Sequence, residues 1–273
     1  MFIGAQPTQY IPSVPRDWRR TAVQIAAGLA AVAREMSFVE HLEELRRRLI
    51  WSVVFIAAAF GVCWFFAAEL LEIAKAPILA ANPNVTLSLS RAQDIVSLNV
   101  KVTLVAALFL SSPFVLAQAW LFIAPGLYPH ERRYVVPFVL FGSMLFVAGG
   151  AFGYFIAFPT ALRFLLAWIV ESHLTPIIDT GEYLSLFLTI VVAFGVSFQI
   201  PAIVFVLSRI GLVDARLLAA QLKYAVFVCV VLAAILTPTT DPGNMLLLAG
   251  PMIVLYCVGI VVAWVFGRPR ENR

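Results

Sequence analysis

Long apolar runs recur through this chain with almost no charge inside them: Ile50 to Ala68, Val100 to Ile123, Tyr134 to Phe158, Leu184 to Ser208 and Met245 to Phe266. A helix needs about 20 mostly apolar residues to cross the hydrocarbon of a bilayer, and each run is of that order. A sixth run, Tyr224 to Leu236, spans only about 20 Å at 1.5 Å per residue. It reads either as a re-entrant helix or as a short crossing with local thinning of the bilayer. The crossing is preferred, because mismatch costs only fractions of a kcal/mol per Å. The turn after it, Thr237 to Gly243, is dense in helix breakers, and Pro251 interrupts the last run.

Composition agrees. Apolar residues make up 62% of the 273 and charged residues 12%, with a mean hydropathy of +0.95. A soluble domain keeps about a quarter of its residues charged, so this chain uses lipid as a solvent. Cys63, Cys229 and Cys257 all sit in apolar runs without motif spacing and read as small buried hydrophobes. Six crossings put both ends on one side, and charge says which. Arg16, Arg19, Arg20, Arg34, Arg46, Arg47 and Arg48 precede the first run. Arg132, Arg133, Arg209, Arg216 and Lys223 fall in the loops of that same side, and Arg268, Arg270 and Arg273 in the tail. The opposite side has Lys75, Arg91, Lys101 and Arg163 against Glu69, Glu72, Asp94, Glu171, Asp179, Glu182 and Asp241. Basic loops stay in the cytoplasm, so both termini are expected there.

Residues 1–35 imitate a cleavable signal peptide, with Arg19-Arg20 before Thr21 to Ala33. The apolar part is alanine-rich and weak. They are read as a cytoplasmic extension, or as the product of a start placed ahead of Met36. Residues 36–267 are then the membrane domain and 268–273 a cytoplasmic tail.

Two charged elements stand out on the basic side. Ser37 to Leu49 reads as an amphipathic helix beside the membrane. Ser37 and Glu40 fit a capping box, and Phe38, Leu42, Leu45 and Leu49 share a face. It is either an anchor with weak surface ion pairs or part of a recognition surface. The first loop on that side, Trp120 to Arg133, is stiffened by Pro125, Gly126 and Pro129, and Glu131 is its one acid. Glu131 either neutralises Arg132 or Arg133, or is held out to receive a cationic ligand.

Ser37 to Leu49, Ser112-Pro113 to Arg133, and Ala193 to Pro201 strongly resemble the TatC family, receptor subunits of the twin-arginine protein translocase. The likeness runs from about Met36 to the tail. It implies an all-α, polytopic fold of six transmembrane helices with the last two short. It also implies that Glu44 and Glu131 recognise the paired arginines of a signal peptide, with Arg46, Phe122, Pro125 and Tyr128 shaping the patch. The chemistry is reasonable in itself: a guanidinium offers a planar fork that a carboxylate accepts in bidentate fashion and that lysine cannot copy. Gln199 sits within the fourth span, where the family commonly has glutamate or glutamine. It is either a helix–helix hydrogen-bond partner or a contact for transport partners in an intramembrane groove. Pro77, Asp94 and Asp241 fall in the external loops; Pro77 and Asp241 match family positions and could simply serve turns. Ala92 and Asp94 depart from the family's usual proline and glutamate.

Other classes fit less well. His130-Glu131 begins like H-E-x-x-H, but Tyr134 stands where the second histidine belongs, and there is no G-x-S-x-G. A small-solute transporter usually carries charges or broken helices at midplane, in two similar halves, and no repeat is visible. The resemblance therefore sets the expectation: a receptor in a bacterial-type inner membrane, working in an oligomeric complex with TatA-like and TatB-like single-span partners. It would draw on the proton-motive force and need no cofactor, metal or nucleic acid.

Overall fold

The computed structural model describes residues 38–81, 86–88, 93–123, 135–171, 177–209, 211, 213–236 and 242–267. Contacts group the chain from Arg48 onward into one unit, and the turns preceding it, up to Arg47, belong to another. In chain order the elements are α1 (Phe38–Trp64), α2 (Ala67–Ala81), β1 (Thr86–Ser88), α3 (Asp94–Ile123) and α4 (Val135–Phe152). A π-helical turn (Gly153–Ala157), α5 (Phe158–Glu171), β2 (Ile177–Asp179), α6 (Thr180–Ser197) and α7 (Gln199–Arg209) follow. The described chain ends with α8 (Ala215–Ala220), α9 (Leu222–Leu236) and α10 (Pro242–Phe266).

The apolar runs of the sequence all form helix. His41–Trp64, Asp94–Phe122, Val139–Phe164, Thr180–Arg209 and Met245–Phe266 are long and apolar enough to cross a membrane, and Leu222–Leu236 is apolar but shorter. Large apolar side chains such as Met144, Phe155, Ile235 and Trp264 stay exposed along them, as expected where lipid replaces water.

Boundaries differ from the sequence reading in three places. The first run stops at Trp64, where the N–H groups of Phe65 and Phe66 donate to Val62 O and Cys63 O in a tight turn. Ala67 and Ala68 then open α2 instead of closing the span. The third run continues past Phe158 to Glu171. The fourth is broken at Phe198. Pro159 and Pro201 explain the last two. A proline deep in a helix has no N–H for the carbonyl four residues back and crowds it. Before Pro159 the helix widens to a π turn, with Phe158 N–H donating to Gly153 O. Before Pro201 it jogs at Phe198, so the proline falls in the first turn of α7, where a missing donor costs nothing.

The packing centre is the seam between α4 with its π turn and α6. Gly149 and Gly153 are one helical step apart on the same face, a small-xxx-small pattern that lets backbones approach. A Cβ added at Gly149 would press on Phe194 O and lie 2.9 Å from Gly195 Cα; one at Gly153 would lie 2.9 Å from Val191 Cα. Facing them, Gly195 admits the Phe146 ring, which packs on Phe109 of α3 with centroids 4.7 Å apart. Phe194 and Ile190 are almost fully buried there. A second seam joins α10 to α7, where Gly259 faces Val204 and Phe266 meets Phe205 edge-on.

At the end away from the basic loops, β1 and β2 pair in parallel with Leu87 opposite Ile178. Thr180 Oγ1 donates to Ser88 O (2.9 Å) and the Asp179 carboxylate caps α6 by accepting from Gly181 N and Glu182 N. At the basic end, Gly211 turns the chain after α7 with φ +76°.

The seam makes a sharp prediction. Gly149→Ala forces the α4–α6 backbones apart and is expected to cost about 1–3 kcal/mol. Gly61→Ala, with nothing near its new methyl, should be neutral or slightly stabilising because alanine favours helix. Thermal melting of both variants in detergent measures the contrast.

Candidate functional site

Glu44 and Arg46 lie in the opening turns of α1, with Glu44 half-buried and Arg46 exposed. Leu42, Leu45 and Leu49 are all exposed, so the apolar stripe read from the sequence is available to lipid or partners. Phe122 occupies the last turn of α3 and is half-buried. Pro125, Tyr128, Glu131 and Asp241, with the Ser37–Glu40 cap, lie outside what is described of backbone and side chains.

The end of α3 is tied to the first span by contacts that the sequence did not single out. Arg48 Nη1 donates to Gln118 Oε1 (3.3 Å), and two turns further on Phe55 stacks on Phe114 at 4.9 Å. Arg48 O in turn accepts from Ser52 Oγ (3.0 Å). An arginine at the border of the hydrocarbon needs acceptors, and the amide of Gln118 is placed to supply one. A lone glutamine inside an apolar helix was the available signal. Nearby, Pro113 leaves Phe109 O without its helical donor, and Ser112 Oγ fills the place at 2.8 Å. The Ser-Pro pair is thus a self-contained repair of α3.

Gln199 opens α7 directly after the Phe198 jog. Its Nε2 donates to Gly142 O of α4 (2.9 Å), which makes it a helix–helix hydrogen-bond partner. The amide packs against Gly142 as well: a Cβ there would sit in ordinary contact, 3.4 Å from Gln199 Oε1.

Pro77 is buried inside α2, within the connection between the first two spans, and serves no turn. It frees Ile73 O from its helical partner, and Tyr154 OH of the π turn donates to that oxygen at 2.9 Å. Tyr183 OH of α6 donates to the next carbonyl, Ala74 O, at 3.2 Å. Tyr154 and Tyr183 both pack on Phe187, so α2 is hooked to the central seam through two phenols. Asp94 is the first residue of α3, where a negative charge favours the helix dipole.

Comparison with known proteins decides the family. A family model described as Sec-independent protein translocase protein (TatC) matches residues 40–251. The Sec-independent protein translocase protein TatC of Koribacter versatilis is 46% identical over 246 residues, covering 87% of this chain and 88% of that protein. That of Deinococcus radiodurans is 39% identical over 231 residues, covering 83% and 85%. A crystal structure titled twin arginine translocase receptor TatC superposes with a TM-score of 0.75 at 36% identity, covering 82% of this chain and 98% of that one.

The chain belongs to the TatC family. It is therefore a polytopic, all-helical membrane protein and a component of the Sec-independent protein translocase. Within this TatC-family fold, the tyrosine hooks and the Arg48–Gln118 link are the polar contacts that sequence reasoning missed.

Two outcomes follow. Tyr154→Phe is expected to cost about 1 kcal/mol. It should cost less in a Pro77→Ala background, where the substituted backbone regains an N–H for Ile73 O; a double-mutant cycle of melting temperatures reads the coupling. Gln199→Ala is expected to cost about 0.6–1.7 kcal/mol, the range for hydrogen bonds between membrane helices, read by unfolding in detergent with denaturant.

Proposed function

We propose that this chain is the receptor that binds the twin-arginine signal peptides of folded precursor proteins, with Glu44 and Glu131 as the carboxylates that take the two guanidinium groups. Arg46, Phe122, Pro125 and Tyr128 shape the patch. The observation that carries the reading is the Arg48–Gln118 hydrogen bond. It holds the start of the first span level with the end of α3. Arg48 is four residues after Glu44 and Gln118 is thirteen before Glu131 in the sequence, so the bond supports a common membrane face for the two elements nearest the carboxylates along the chain. That face carries the arginine-rich loops, which supports a cytoplasmic assignment for it and for both termini, in a bacterial-type inner membrane.

Two adjacent arginines need two acceptors, and each bidentate pair excludes lysine by geometry. The neutral interior of the spans supports recognition at the surface over solute conduction through the middle. Export then proceeds with TatA-like and TatB-like single-span partners and the proton-motive force, the chain contributing recognition and assembly and no bond chemistry.

Photo-crosslinking of a twin-arginine signal peptide to the chain in membranes tests this. Labelling is expected to fall about tenfold or more with Glu131→Ala and with a twin-lysine peptide, since a charge-assisted hydrogen bond contributes about 1.5–3 kcal/mol. Equal labelling in all three arms would make Glu131 structural and remove recognition of the paired arginines from this patch.

A further inference from the structure

A groove of about 670 Å3 runs between α3, α6 and the end of α9, with Met252 of α10 at its base. Its walls are mainly apolar and include Leu104, Val105, Leu188, Val192 and Ile235. Two of the hydroxyls in it are turned to their own helix, Thr189 Oγ1 donating to Ser185 O and Ser197 Oγ to Ala193 O, both at 2.7 Å. That volume lies within the range of about 300–1,000 Å3 typical of small-molecule sites.

One charge stands on this groove. Lys101 is exposed, and its Nζ donates to Ser185 Oγ at 3.0 Å. An ammonium has three donors, and among the described residues no carboxylate lies within ion-pair distance of this one. Lys75 on the same side of the membrane has Glu72 at 2.6 Å. Lys101 is in the second turn of α3, about 10 Å along it, at the border between hydrocarbon and headgroups. A lysine near a helix end extends its ammonium toward the interface, where an anionic headgroup is its natural counter-ion. The ligand that would neutralise it and fill an apolar groove is an amphiphile with an anionic head.

We propose that the groove is a binding site for an anionic phospholipid of the leaflet opposite the basic loops, with an acyl chain between α3 and α6 and the phosphate on Lys101 and the Ser185 hydroxyl. The end of α9 explains why the groove is open. The helix is about 22 Å long, short of the roughly 30 Å of hydrocarbon, and Leu232, Ile235 and Leu236 at its C-terminal end line the site. A lipid seated there has its headgroup drawn down the side of α3, which matches the thinned bilayer that a short helix requires. A partner's apolar span would fill the walls and leave the ammonium without an anion, which is why lipid is favoured as the occupant.

The test uses the full chain, delipidated in a neutral detergent, with phosphatidylglycerol or phosphatidylcholine returned and the bound lipid counted by native mass spectrometry. Wild type is expected to retain phosphatidylglycerol about fivefold over phosphatidylcholine, the factor that one lysine near an anionic surface supplies. Lys101→Gln should abolish the preference, and Val192→Trp should lower binding of both lipids with the lipid-free melting temperature unchanged. Equal retention of the two lipids by wild type, or a preference that survives Lys101→Gln, would overturn the proposal. So would displacement of phosphatidylglycerol by millimolar inorganic phosphate, which would make the site one for a free anion. A photo-crosslinker at Val192 in native membranes is expected to label lipid; labelling of a single-span protein instead would also sink it.

Discussion

The fold rests on how closely two backbones can approach. In a bilayer there is no water to squeeze from between helices, so a pair associates through packing contacts and hydrogen bonds alone. Here the contact is Gly149 and Gly153 against Val191, Phe194 and Gly195. Each neighbouring feature is set by that distance. Phe109 lies where a side chain on Gly150 would be, which brings α3 against the seam. The π turn follows directly from Gly153 and aims Tyr154 at α2. Further along α4, Gly142 is near enough to take the amide of Gln199. Move α4 away from α6 by one methyl and all three contacts lengthen together.

The second constraint is that lipid satisfies no carbonyl. Every proline inside a span removes a donor, and an oxygen left bare in hydrocarbon is costly. Four prolines meet that demand differently, three of them inside spans and Pro77 in the connection after the first. Pro113 is answered within its own helix by Ser112. Pro77 is answered across the fold by Tyr154, so the vacancy becomes a tether between elements. Pro159 and Pro201 are absorbed by changing the helix itself, through a widened turn and a jog. The prolines and their partners are therefore parts of one design. The tyrosines are as structural as the glycines.

This division also explains what was legible in the sequence. The six apolar helices were, because hydrocarbon thickness imposes a length that composition alone reveals. The amide at Gln199 was legible as polar in an apolar run, whereas its acceptor, the backbone oxygen of Gly142, gave no signal in the sequence. The helix ends at Trp64 and Glu171 were not legible: the apolar character continues across the Phe65–Phe66 turn, and Pro159 looks like a stop until the π turn is known. The three-residue strands β1 and β2 carry no periodicity at all and exist only because two distant connections meet. For the candidate site, the family resemblance pointed to Glu44, Arg46 and Glu131, whereas the tie between the first span and α3 depends on Arg48 and Gln118, 70 residues apart.

The choice of glutamine at 199 has a consequence for how the centre of the membrane domain behaves. The bond to Gly142 O needs a donor. An amide provides one at every pH, whereas a carboxyl group provides one only while it is protonated. With glutamine, the α4–α7 contact is built without a titrating proton, and the glycine seam beside it is neutral as well. Among the described residues, charged groups stand near helix ends, Arg48 and Arg209 on one side and Lys101 with the capping Asp179 on the other. A body of this kind holds its helices in the same arrangement as protonation at its surfaces changes. Whatever responds to a cationic peptide or an anionic lipid then does so at the two interfaces, on elements fastened to a frame that does not itself titrate.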